Sequence, residues 1–220
     1  MSSPAVTAPS RQPRKKSFTF RFIALLLAVC AVGVGISLMV RAQLGVAPAD
    51  VLATGGAEQF GIGVGTMGWI NGFAFTALAI AFRRPPQWGT LLGTVMVGQA
   101  VNIALPLMPE SNLLVARLPM MLGGMALLYL AISVGVATTL GTGPMELLML
   151  GLNDKGLSMQ VARWGIEGVV VTGGILLGGQ IGIGTVLFVL LTGPVLARTL
   201  PPVARFMGTE VTRQPVGLDA

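Results

Sequence analysis

Leu44-Gly45-Val46-Ala47-Pro48-Ala49-Asp50-Val51-Leu52 returns as Leu140-Gly141-Thr142-Gly143-Pro144-Met145-Glu146-Leu147-Leu148, with Leu, Gly, Pro, an acid and Leu in the same places. The echo extends outward on both sides. A shift of 96 pairs Arg21 with Arg117, Leu26 with Leu122, Ile36-Ser37 with Ile132-Ser133, and Gly55 with Gly151. A shift of 95 then pairs Gly61 with Gly156, Trp69 with Trp164, Gly89-Thr90 with Gly184-Thr185, and Leu105-Pro106 with Leu200-Pro201. The one-residue slip falls between positions 55 and 61, where a loop tolerates it. The chain therefore reads as repeat 1 (residues 20–107), a connecting loop (108–116) and repeat 2 (117–205). Two homologous halves in apolar sequence are a hallmark of many transporter folds.

Composition identifies the solvent. With 53% hydrophobic residues, 10% charged residues and 31 glycines, and a mean hydropathy of +0.81, the chain is far too apolar for a soluble domain. It reads as an integral membrane protein. The net charge of +6 suggests nucleic acid at first sight. The basic residues, however, sit at the ends of apolar runs with no aromatic interleaving, so they read as topology determinants and no nucleic-acid partner is expected. With no histidine, a Ser-His-Asp triad and a His metal site are excluded. The 12 methionines are scattered and the single Cys30 lies in the first apolar run, so apolar filling is expected, with no metal and no cofactor. Residues 1–19 and 206–220 are polar, and both are expected to be disordered cytoplasmic tails. A basic start, an apolar stretch and Val40-Arg41-Ala42 resemble a cleavable leader. The partner of that stretch, Leu118 to Thr138, lies deep in the chain, so both are expected to belong to the fold.

Six runs are long enough to cross a hydrocarbon core of about 30 Å, which takes about 20 residues at 1.5 Å each. They lie near residues 21–41, 64–82, 88–106, 118–138, 159–178 and 183–200. The N-terminal basic cluster, Arg83-Arg84 and the arginines after the sixth run point to one side, taken as cytoplasmic, while residues 106–116 carry Glu110 and no basic residue. Arg117 and Lys155 fit this orientation less well, and a dual or reversed orientation is the alternative. Three spans per half is an odd number. The second half is therefore expected to enter the membrane upside down, giving an all-α fold of two inverted repeats.

Residues 45–60 and 141–156 remain. A helix from Pro48 to Glu58 reaches only about 16 Å, half of the core. Gly45 and Gly141 suit sharp turns, Pro48 and Pro144 suit the first helical position, and Gly143 precedes the second proline. Asp50 and Glu146 then fall in the first turn, near the positive end of the helix dipole. Two readings are open: an interfacial helix with an acidic start, or a pair of re-entrant half-helices meeting near mid-bilayer, where irregular backbone surrounds a site.

Charges inside spans are the other place to look for function, since one at the bilayer centre costs about 3 kcal/mol on insertion scales. Glu167 lies about 12 Å along its helix from Met159, and Arg163, one turn earlier, shares its face. The pair is either a structural ion pair or a proton-coupling carboxylate with its counter-ion. Gly68 and Gly72 hold the equivalent places in the first half, so the pair breaks the pseudo-symmetry. Asn71, and Gln99 with Asn102, are further candidates to line a polar cavity with Glu167; inter-helix hydrogen bonding is the plainer reading of these three. Trp69 and Trp164 read as aromatic-belt anchors.

The chain resembles the YczE/YitT-type bacterial integral membrane proteins over roughly residues 21–200, on Arg21-Phe22, the Leu44-Gly45 to Asp50 motif, its copy ending Gly143-Pro144-Met145-Glu146, and Gly182-Ile183-Gly184-Thr185. The resemblance implies a multi-pass protein of the bacterial cytoplasmic membrane, with transport inferred by analogy and no assigned substrate. The expected function is a secondary carrier of a small solute working by alternating access, with protons coupled through Glu167. A non-transporting scaffold or accessory subunit is the alternative. An enzyme is not expected, because the sequence presents no nucleophile-base pair or metal cluster. The partners expected are the lipid bilayer and a small solute.

Overall fold

The computed structural model describes residues 15–209. Eight helices follow in order: α1 (Phe18–Ala42), α2 (Pro48–Phe60), α3 (Val64–Ala81), α4 (Trp88–Leu107), α5 (Leu114–Thr138), α6 (Pro144–Asn153), α7 (Met159–Leu176) and α8 (Ile183–Met207), with no strand among the described residues. Five of them, α1, α3, α4, α5 and α8, are long and apolar enough to cross a membrane. The protein is an all-α, multi-pass membrane protein. The sixth expected run forms α7, which has the same 18 residues as α3. It falls short of a span by composition, because Gln160, Arg163 and Glu167 interrupt its apolar residues.

Most helix ends fall where turn chemistry puts them. Pro48 and Pro144 open α2 and α6, and each short helix has its acid, Asp50 or Glu146, in the first turn. Three limits differ from the sequence reading, the first being that α5 begins at Leu114, inside the expected connecting loop (108–116). α1 begins at Phe18, capped by the Ser17 hydroxyl, which accepts from the Phe20 N–H. α8 continues to Met207 through Pro201 and Pro202, because Ala204 and Met207 pack on Ala137 of α5 and the Thr209 hydroxyl donates to the Ala137 carbonyl at 2.9 Å. Tertiary packing here overrides a local stop signal. What else was expected of the two tails lies on residues 1–14 and 210–220, outside the described residues.

α1 and α5 form the centre and run antiparallel. Gly35 and Gly124 meet at their crossing, each placed where a Cβ would press on the other's carbonyl oxygen. At one end, the Arg21 Nε donates to the Thr138 carbonyl at 2.7 Å, and its Nη2 also reaches the Thr139 hydroxyl. At the other, Arg117 donates from Nε to the Ala42 carbonyl and from Nη2 to the Gln43 carbonyl, both at 2.6 Å. Gln43 and Thr139 are the left-handed C-caps of α1 and α5. Each arginine therefore satisfies carbonyls that a helix end leaves orphaned, and puts positive charge at the negative end of the dipole.

The same contacts sort the other helices by end. Trp88 at the start of α4 packs on Phe18 and Phe22, and Phe206 at the end of α8 packs on Phe20, so these meet the start of α1. At the opposite end the Arg41 Nε donates to the Leu105 carbonyl of α4 at 3.1 Å and pairs with Glu110. α6 finishes at the first end, where Asp154 pairs with Arg84 just beyond α3. That guanidinium holds the Asp154 carboxyl below its ordinary value of 3.8. Lys155 therefore sits with Lys16, Arg83, Arg84 and Arg205. The opposite end holds Arg41 and Arg117, both engaged in the contacts above.

Candidate functional site

Each motif turn docks on the start of a helix from the other half. The Gly184 N–H of α8 donates to the Leu44 carbonyl at 2.8 Å. Gly45 has φ +105°, and a Cβ on it would lie 2.8 Å from the Thr185 hydroxyl oxygen, so only glycine suits this turn. In the second copy, Gly141 lies against Gly89 and Thr90 at the start of α4. There the Thr90 hydroxyl donates to the Thr142 carbonyl at 2.7 Å and accepts from the Thr142 N–H at 3.2 Å.

The short helices start deep in the bundle. A Cβ on Gly72 of α3 would lie 3.6 Å from the Pro144 side chain, whereas one on Gly151, near the end of α6, would lie 3.0 Å from Phe82 just past the end of α3. Gly72 precedes Ala81 by nine residues, about 14 Å of helix. α6 thus begins about halfway along α3 and rises to its end. α2 is arranged likewise against α7: a Cβ on Gly174 would press on Val51 and Leu52, Gly55 meets Gly174 and Gly179, and the Gln180 N–H donates to the Thr54 hydroxyl at 3.0 Å. Between the short helices an apolar plug of Ala79, Leu147, Leu148, Ile166 and Val170, with Leu52 and Phe75 packed on it, joins α2, α3, α6 and α7.

Three of the expected polar residues come to one level. α2 and α3 pack through Ala53, Ala57 and Met67. One turn deeper along that seam lie Asp50 on α2 and Asn71 on α3. Glu167 holds on α7 the place that Gly72 holds on α3, beside the first turn of the short helix. Asp50 is half-buried and makes no side-chain hydrogen bond or ion pair among the described residues. Asn71 is 7% exposed, and its Nδ2 has no hydrogen-bond partner among the described residues. Glu167 accepts from the Arg163 Nε at 2.9 Å, with the side chains 13% and 28% exposed. Asn71 is thus a buried amide donor, Asp50 a half-buried acid without a side-chain partner among the described residues, and Glu167 an acid already paired. Such groups are costly to leave in apolar surroundings without a partner.

The remaining candidates lie elsewhere. Gln99 and Glu146 are exposed, and the Asn102 Nδ2 donates to the Thr66 hydroxyl at 3.0 Å, tying α4 to α3. Trp69 is a clamp: its ring lies over Gly98 and its Nε1 donates to the Val95 carbonyl at 2.9 Å. The motif-backbone positions Gly45, Pro48, Gly141, Gly143 and Pro144 shape the two turns. The capping arginines were legible only as a pair recurring at a shift of 96, and their interlocking role follows from the antiparallel crossing.

Residues 19–200 match a profile described as a family of unknown function, DUF6198. The chain belongs to the DUF6198 family. Among curated relatives, this DUF6198 chain is 29% identical to the "Uncharacterized membrane protein YczE" of Bacillus subtilis over 205 residues, 92% of this chain and 94% of the relative. It is 31% identical to an "Uncharacterized protein" of Haemophilus influenzae, covering 82% and 84% of the two chains. The "Uncharacterized protein YyaS" of Bacillus subtilis is 26% identical, covering 81% and 92%. The resemblance read from the motifs is borne out in this YczE-type family. No solved structure matches the DUF6198 chain.

Proposed function

We propose that the protein is a secondary carrier for a small solute, built of two inverted halves, with its site at the start of α2. The observation that carries this reading is the depth at which the short helices begin: Pro144 beside Gly72, about 14 Å short of the end of α3. A helix that starts at mid-depth and returns to the face its chain came from is the re-entrant element that substrate sites are built on in transporter folds. The antiparallel crossing of α1 and α5, with reciprocal arginine caps, supports the inversion. α7 then completes six spans. Asp50, Asn71 and Glu167 bind, and Arg163 serves as the counter-ion through which Glu167 couples protons.

The gathering of Lys16, Arg83, Arg84, Lys155 and Arg205 at one end supports a cytoplasmic location for both termini in the bacterial cell membrane. Lys155 joins that group because α6 ends on the side where α5 ended, as a short helix that does not cross the membrane must. The interlocked Asn102, Trp69 and arginine contacts favour the second reading, a rigid scaffold or accessory subunit without transport.

Purified protein in liposomes separates the two. The carrier reading expects solute-driven proton flux that Glu167→Gln abolishes; silence of both proteins across a broad solute panel, with a co-purifying partner, would establish the scaffold. Single cysteines at 50 and 146 in a Cys30→Ala background test depth. Rapid labelling of both by bulky, membrane-impermeant reagents would mean that the short helices lie on the surface.

A further inference from the structure

The two motif turns are held on α8 and α4 by different bonds. At α4 the Thr90 hydroxyl engages both the carbonyl and the N–H of Thr142. The repeat carries Thr90 to Thr185 and Thr142 to Val46, and there the same staple is open. Thr185 is 4% exposed, yet its hydroxyl has no hydrogen-bond partner among the described residues, and neither backbone group of the fully buried Val46 has one. Three polar groups are thus left over where the other half joins their three equivalents. Such groups are costly to bury unpaired. In place of the staple the Gly184 N–H donates to the Leu44 carbonyl at 2.8 Å, a bond without a counterpart at Gly89.

The turns also differ in where they sit. Gly141 lies against Gly89 and Thr90, inside the start of α4, whereas Leu44 and Gly45 back onto Gly182, just before α8. A Cβ on Gly182 would collide with the Leu44 carbonyl oxygen, so this seat needs glycine. In the first half Gln87 stands in that place and closes the equivalent seat. The surroundings of the first turn suit a short movement. Arg117 pins the chain at Ala42 and Gln43, and α2 starts at Pro48, which leaves only residues 44–47 between them. The Met121 sulfur of α5 lies behind Gly184, and a methionine side chain repacks easily. α8 also lacks the clamp that α4 has. The Trp69 ring covers Gly98, whereas a Cβ on its equivalent Gly193 would meet nothing within 4 Å, and Trp164 is 62% exposed.

We propose that residues 44–47 are a two-position latch. One position is the seat on Gly182; in the other the Thr185 hydroxyl donates to the Val46 carbonyl and accepts from the Val46 N–H, as Thr90 does with Thr142. The exchange gives up the Gly184–Leu44 bond for two others, and leaves Gly184 and Leu44 as Gly89 and Leu140 are. Because the turn runs straight into Pro48 and Asp50, moving it moves the start of α2. This rests on the carrier reading and makes the latch its moving gate at the end away from Arg83 and Arg84, with the Thr90–Thr142 staple as the fixed counterpart.

Amide hydrogen exchange of full-length protein in lipid nanodiscs, resolved by NMR at Val46 and Thr142, reads the two staples. Gly182→Ala closes the present seat with a methyl group. It should slow exchange at Val46 about tenfold, the weight of one net hydrogen bond, and leave Thr142 unchanged. In that background Thr185→Val should take the gain away and Thr185→Ser should keep it. Gln87→Gly makes the converse change and should speed exchange at Thr142. Unfolding of Gly182→Ala, faster exchange at Val46, or a gain that survives Thr185→Val would mean that the turn has a single seat, and overturns the proposal. An unchanged Thr142 in Gln87→Gly does the same. Solute flux in liposomes separates the latch from the carrier. Flux should be lost in folded Gly182→Ala; undiminished flux with slowed exchange at Val46 would overturn the gate and leave the carrier reading standing. A silent wild type in which the exchange pattern holds would establish the latch and sink the carrier reading.

Discussion

The α3–α4 seam and the α7–α8 gap occupy the same place in the two copies of one module, yet one is shut and the other open. Four of the differing pairs have glycine in the first half and a large side chain in the second: Gly33 against Tyr129, Gly68 against Arg163, Gly72 against Glu167 and Gly93 against Phe188. Elsewhere the exchange runs the other way, as at Ile70 against Gly165 and Phe73 against Gly168. Tyr129 and Phe188 stack with ring centroids 5.1 Å apart, and the tyrosine hydroxyl donates to the Phe188 carbonyl at 3.0 Å, so α5 and α8 are pinned by aromatics where α1 and α4 meet through glycine. Helices in lipid gain little from apolar burial and depend on close backbone approach. Glycine at these four places lets the first half close its seam, whereas charge and bulk at the same places in the second half accompany an open α7–α8 side.

The largest expected effect breaks the closed seam. Gly98→Leu would drive a side chain into the Trp69 ring and should destabilise the protein by about 3 kcal/mol, the upper range for overpacking. Its counterpart Gly193→Leu should lie within about 0.5 kcal/mol of wild type, as a substitution into open space does. Thermal unfolding in one detergent reads both, and equal losses would mean that the halves pack alike after all. Grafting the difference the other way sharpens it. Gly72→Glu should cost about as much as Gly98→Leu, through a charge forced between helices without the room that α7 has made.

Next come the reciprocal caps. Arg21→Ala and Arg117→Ala should each lower stability by about 1 kcal/mol, the cost of leaving helix-end carbonyls unsatisfied. The two sites lie at opposite ends of the α1–α5 pair and share no partner, so the double variant should be additive within about 0.5 kcal/mol. A loss confined to Arg117 would show that Arg21 serves only as a topology signal. These arginines mark the limit of what the sequence made legible. The repeat, the helix starts at Pro48 and Pro144 and six helical runs were readable, because hydropathy and turn chemistry are local. That Arg117 caps α1 was not, because a cap across 75 positions depends on which helices cross and in which sense. The same limit separates the polar candidates. Asn71 and Gln99 look equivalent as amides in apolar runs, and only the packing of α3 against α2 turns one inward while α4 leaves the other exposed.

The smallest effect concerns the outer ends of the two short helices. α6 is latched to the end of α3 by Arg84 and Asp154, whereas the residue of α2 equivalent to Asp154 is Glu58, which faces Gly178 at the end of α7 with no cation in the corresponding place. The Asp154 carboxyl is held below its ordinary value of 3.8 by Arg84, so the latch contributes stability above that value and loses it as pH falls through the lowered one. Both side chains are two-fifths exposed, so the contribution is screened and small. Asp154→Asn should therefore lower Tm slightly at pH 6, by an amount that shrinks in 1 M salt and vanishes in strong acid, while Glu58→Gln, which removes no ion pair, should leave Tm at pH 6 unchanged. A salt-sensitive loss on Glu58→Gln would show that α2 is latched as α6 is, and that the asymmetry of the halves is confined to the α7–α8 side.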